Sequence, residues 1–126
     1  MVVLDTSALL YWTLDPEQLS ENARKAIDES EQVTISSISV WEVGLKVKRG
    51  RLEIPLSFSD YVERLQQLEK LDILPVEVET WLLNMTLDWQ HRDPADRTIV
   101  ATALQLNCPL ITSDQAVRSF YQGSIW

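Results

Sequence analysis

Short, continuously apolar runs alternate along the chain with longer stretches in which apolar residues recur every three or four positions. The first run, Met1–Leu4, has no polar position, as expected of a central strand covered on both faces. Asp5 ends it, and Thr6 and Ser7 open a helix through about Thr13. Ser20 is placed to cap a second helix through about Glu29. Val33–Ser36 reads as a second strand, leading through Ser37 into a helix that reaches Arg49, with Gly50 as its stop. Ser57 or Ser59 starts a longer helix, with Tyr61, Leu65, Leu68 and Leu71 at helical spacing. Asp72–Pro75 predicts a third strand, followed by a helix through about Trp89. Asp93-Pro94 opens a helix to about Asn107, Pro109–Thr112 is a strand, and a short helix precedes a last strand ending at Trp126. Strands alternating with helices in this way predict an α/β fold around a mainly parallel sheet.

Composition narrows the class. A length of 126 residues, without repeats or Ser/Gly-rich linkers, predicts one domain, and 45% hydrophobic residues argue against disorder. No apolar run reaches the roughly 20 residues of a membrane span, and MVVLDTSALL lacks the basic start and cleavage site of a signal peptide. The single cysteine, Cys108, excludes an internal disulfide framework and a Cys-rich zinc site, so a reducing cytoplasm is the expected compartment. A net charge of −8 argues, at face value, against nucleic acid as a partner.

Most of the acids read as surface charge, among them Asp28, Glu29, Glu31, Glu63 and Glu69. Others are placed differently. Asp5 ends a buried strand and Asp114 follows Pro109–Thr112 by a short loop; ligand chemistry in open α/β sheets collects at such strand ends. Either acid alone reads as a turn or helix cap, but two after separate strands favour a site. Glu42 lies within ISVWEVGL, where burying an ionised carboxylate demands a cation or neutralisation. Its bland alternative, an acid helped by the helix dipole, leaves Trp41 and Val43 unexplained. In His91-Arg92-Asp93-Pro94-Ala95-Asp96-Arg97, Asp93 has the role of N-cap, while Asp96 shares a helix face with Ile99, Val100 and Ala103. Asp96 is therefore assigned to the site, with Asp93 as cap and auxiliary. Asp5, Glu42, Asp96 and Asp114 thus fall on one edge of the sheet, and four carboxylates in a small volume call for a hard divalent cation, Mg²⁺ or Mn²⁺. Such an ion activates water for phosphodiester cleavage and locally offsets the charge of the site acids, which are half of the net −8, so bound metal can meet phosphate.

Other residues carry weaker signals. Lys46, Lys48, Arg49 and Arg51 form the one dense basic stretch, divided between phosphate contact and offsetting a helix C-terminus. Arg97 is unfavourable in a first helical turn, which makes it a candidate for phosphate contact or an ion pair. His91, the only histidine, reads as a solvated loop residue, and Cys108 as a small hydrophobe. Trp12, Trp41 and Trp81 lie in helical patterns and read as core or dimer packing.

Taken together, VVLDTSALL (Val2–Leu10), ISSISVWEVGL (Ile35–Leu45) and HRDPADRTIVATALQLNCPLITSD (His91–Asp114) resemble the PIN domain, most closely VapC-type toxins of type II toxin–antitoxin pairs. The resemblance implies a three-layer α/β/α sandwich and Mg²⁺-dependent endoribonuclease activity on RNA. It also implies a homodimer and a small cognate antitoxin protein as partner. Its acidic positions fall on Asp5, Glu42, Asp96 and Asp114, and its small hydroxyl residues on Thr6 and Ser113. On this reading Asp5 and Asp96 are primary metal ligands, Asp114 completes the site directly or through water, and Glu42 holds a water or second ion and accepts the proton. In-line attack by water, without the 2′-hydroxyl as nucleophile, leaves 5′-phosphate and 3′-hydroxyl ends. Three rivals stand beside it: a phosphoacceptor receiver domain, a catalytically silent PIN-like binding module, and a nuclease acting on DNA. The receiver reading lacks the acidic pair after the first strand and the late lysine.

Overall fold

The computed structural model describes residues 1–126. In chain order the elements are β1 (Val2–Leu4), α1 (Thr6–Leu14), a 3₁₀ turn (Pro16–Gln18), α2 (Glu21–Glu29), β2 (Val33–Ser36), α3 (Ser37–Lys48) and α4 (Phe58–Gln67). There follow β3 (Leu71–Leu74), α5 (Val78–Thr86), α6 (Pro94–Leu106), β4 (Leu110–Ile111), α7 (Gln115–Phe120) and β5 (Ser124–Ile125). The five strands form one sheet in the order β3-β2-β1-β4-β5, every pairing parallel. That order differs from the 2-1-3-4-5 of receiver domains, so the receiver rival fails on topology as well as chemistry.

Strand alternation sends side chains into two cores. Val2 and Leu4 join Ala8, Leu9, Ala23, Ile27, Tyr61 and Leu65 on the face covered by α1, α2 and α4. Val3, between them, joins Ile99, Val100, Ala103 and Val117 on the face covered by α6 and α7, with α5 packed on α6. Helix α3 spans the two, with Val43 in the first cluster and Ile38 against the second. The result is the expected three-layer α/β/α sandwich. No helix is long and apolar enough to cross a membrane.

Local signals placed most ends well. Ser20 and Ser57 cap α2 and α4 through their hydroxyls, and Gly50 follows α3 at φ +68°, where a side chain would be strained. Helix α4, however, stops at Gln67, and Leu71 pairs with Val33 instead of extending the helical stripe. The helix after β3 ends at Thr86, short of Trp89. Trp41 and Trp81 are exposed rather than in the core, while Trp12 packs at the edge of the first cluster. Cys108 packs beside the second cluster, where burial pushes its thiol up.

Candidate active site

The strand order reverses at β1, so a crevice opens outside the carboxyl ends of β1 and β4. Asp5 immediately follows β1, Asp114 follows β4, Asp96 lies in the first turn of α6, and α3 brings in Glu42. These four, with Asp93, Thr6, Ser7, Ser113 and Lys46, line a cavity of about 260 Å³ that has no hydrophobic wall.

The cap and site readings of the aspartates are compatible. Oδ1 of Asp5 accepts from the Ala8 amide at 2.8 Å, Oδ1 of Asp114 from Val117 at 3.0 Å, and Oδ1 of Asp93 from Asp96 at 3.0 Å. Each cap satisfies an orphan helix N–H and fixes the rotamer beside the cavity. Glu42 sits in the second turn of α3, half-buried, between exposed Trp41 and buried Val43. The helix thus turns it to the polar crevice and away from the core that its apolar neighbours suggested. The Thr6 hydroxyl donates to Ser39 Oγ at 3.0 Å, joining the start of α1 to α3 beneath the cavity.

Negative charge predominates in this crevice. Asp5 is 7% exposed, and burial above all raises its pKa from 3.8 to about 6. The charges of Asp96 and Asp114 add to the rise, while the Thr112 hydroxyl and Ala8 amide oppose it. Burial also raises Asp96, helped by Asp93 and Asp114 and opposed by its hydrogen bond with His91. Desolvated like charges at a strand switch point are the electrostatic environment that a cation relieves. The donors are all hard oxygens, which suit Mg²⁺ or Mn²⁺. No three acids gather round one point as ready-made ligands.

The basic residues divide. Lys46 lines the acid cavity, has no carboxylate within salt-bridge distance, and also borders the adjoining groove that carries Arg49 and Arg51. Arg97 is a correction: it contacts no acid and does not face the cavity. Its guanidinium donates to the carbonyls of Asn84, Leu87, Trp89 and His91 and to Asn84 Oδ1, which occupies all five N–H groups. It holds the loop between α5 and α6 together. His91 is the second correction. It is not a solvated loop residue, because its Nε2 pairs with Asp96 Oδ2 at 2.7 Å and its ring stacks on Trp89. Its position as the one histidine, five residues before Asp96, was the available signal.

The PIN domain family model matches residues 2–122. Ribonuclease VapC22 of Mycobacterium tuberculosis is 25% identical over 118 residues, covering 94% of this chain and 90% of that protein. Among solved structures, a toxin–antitoxin complex from Klebsiella pneumoniae aligns with a TM-score of 0.71 at 19% identity, covering 100% of this chain and 97% of the other. VapC20 of Mycobacterium tuberculosis, a toxin that cleaves the sarcin–ricin loop, aligns with a TM-score of 0.67 at 13% identity, covering 94% of each chain. The structural likenesses show a shared fold, and the family match spans the elements that carry Asp5, Glu42, Asp96 and Asp114. With that sheet order and that extent of match, the chain belongs to the PIN domain family.

Proposed function

We propose that this chain is a divalent-metal-dependent endoribonuclease, with Mg²⁺ or Mn²⁺ as its cation, and the toxin of a type II toxin–antitoxin pair. The observation that carries the reading is the wholly polar cavity at the β1–β4 switch point, where a buried Asp5 stands among further carboxylates. The ribonuclease name of the M. tuberculosis relative and the toxin–antitoxin neighbours support the choice of substrate and partner.

Asp5 and Asp96 would hold the cation, with Asp114 completing the set directly or through water. When bound, the cation supplies Lewis acidity, which acidifies a water and offsets phosphate charge. Glu42, on the α3 wall, accepts the proton of the attacking water at its carboxylate. Ser113 offers a hydroxyl at the cavity, Thr6 ties α1 to α3 through Ser39, and Asp93 keeps the first turn of α6 in place. Lys46 meets a non-bridging phosphate oxygen at the cavity, and Arg49 meets the next phosphate along the groove. Attack is by water, so the RNA 2′-hydroxyl is not consumed.

Partner surfaces are available for a homodimer and an antitoxin. Helix α5 exposes an apolar stripe of Val78, Trp81, Leu82 and Met85, and α1 and α4 enclose an apolar cleft lined by Trp12, Leu56 and Leu68. The experiment is inducible expression in a bacterium, with and without a small gene encoded beside this one. The reading expects RNA loss and growth arrest, relief by the neighbour, and none of this with Asp5→Ala. Undiminished arrest by Asp5→Ala overturns the catalytic assignment, and no arrest overturns the toxin assignment.

A further inference from the structure

Three of the cavity's aspartates are oriented by their own helices, through cap hydrogen bonds to main-chain amides. Asp96 is the exception. At the third position of α6 its carboxylate caps nothing, and the group that orients it comes from the preceding loop. We propose that His91 is the positioning residue for Asp96: its Nε2–H donates to Asp96 Oδ2 and sets the carboxylate for the divalent cation. The inference rests on the reading of Asp96 as a metal ligand.

His91 is itself held at its ring and at its main chain. The Trp89 indole stacks on the imidazole with centroids 4.5 Å apart and 16° between planes, and on the Phe120 ring at 4.7 Å and 9°. The main chain is fixed as well, since Arg97 Nη1 donates to the carbonyls of Trp89 at 2.6 Å and His91 at 3.1 Å. Ring plane and backbone are therefore set before any ligand arrives. Phe120 ends α7, the helix whose N-cap is Asp114. One aromatic stack thus links the Asp96 side of the cavity to the helix that carries Asp114. Asp96 Oδ2 is occupied by the imidazole, whereas Oδ1 takes no hydrogen bond from the protein and stays available. Carboxylates that hold metals are themselves hydrogen-bonded, and loss of such a partner costs about 10–100-fold in metal affinity.

The test uses the full chain as wild type, His91→Ala and His91→Gln, because a glutamine amide can place an N–H close to the imidazole Nε2. Mn²⁺ affinity is read from the free-ion paramagnetic signal, and folding from urea unfolding. The chain has one histidine, so nitrogen spectra of the ring report His91 without assignment. The expected results are an Nε2–H tautomer without metal and a ring shift on saturation with Mg²⁺. His91→Ala should bind Mn²⁺ about 10–100-fold more weakly, with most of the loss recovered in His91→Gln. A merely structural histidine would change urea unfolding and leave the affinity of the folded protein alone. Wild-type affinity in His91→Ala, no recovery in His91→Gln, or an Nδ1–H tautomer overturns the inference and leaves the nuclease reading standing. A wild-type protein that binds no divalent cation overturns both.

Discussion

Asp5→Asn removes a charge and keeps a cap. The asparagine oxygen accepts from the Ala8 amide as the carboxylate does, so α1 still starts at the same place. The rise of Asp5 from 3.8 to about 6 corresponds to about 3 kcal/mol between its two protonation states in the fold. The folded value lies above the unfolded one, so the stabilising neutral form is fully present below 3.8 and is lost as pH rises through about 6. At about pH 8 without metal, the wild type therefore carries an ionised, desolvated carboxylate that the variant lacks. Asp5→Asn should be more stable there by up to about 3 kcal/mol, or roughly 10 °C in Tm for a chain of this size. The gap should close below about pH 4. Urea unfolding of both proteins in EDTA across this range measures it. Mg²⁺ at about 100 times its Kd should then add roughly 2.7 kcal/mol to the wild type and far less to the variant. No gain at high pH, or a gain that does not depend on pH, refutes the reasoning.

Arg97→Ala should lose about 2–4 kcal/mol in urea unfolding, because it strands several loop carbonyls that now share one guanidinium. A stable Arg97→Ala protein defective only in RNA binding would contradict its loop-holding role. Asp93→Ala should lower stability by about 1 kcal/mol through the N-cap of α6, and Asp93→Asn should restore stability and RNA cleavage together. Cleavage lost in Asp93→Asn at normal stability would instead make Asp93 a ligand.

How much of this was legible in the sequence depended on the range of the interaction. Asp5 and Asp93 announced themselves because strand ends and Asp-Pro caps are local features, and both aspartates are found as caps. Helical spacing put Leu68 and Leu71 on the α4 stripe, but pairing of Leu71 with Val33 outweighs that preference and starts β3. Periodicity shows which residues share a helix face and not what covers it, so Trp41 and Trp81 read as core or dimer packing, and the single chain leaves both out of its core. The unfavourable first-turn position of Arg97 is likewise a local feature, whereas its partners come from the end of α5 and the following loop. The partners of His91 are near in sequence, Trp89 two residues before it and Asp96 five after, but spacing does not show the loop conformation that brings the three together. The alternation of elements predicted a parallel sheet, while the order 3-2-1-4-5, which makes the crevice, is set by strand pairing.

The most direct test of the account is to map the ends of the products when purified protein cleaves a labelled single-stranded RNA. Mg²⁺-dependent cleavage to 5′-phosphate and 3′-hydroxyl ends is expected, abolished by EDTA and by Asp96→Asn. Cleavage that persists in EDTA, or products ending in a 2′,3′-cyclic phosphate, would contradict it.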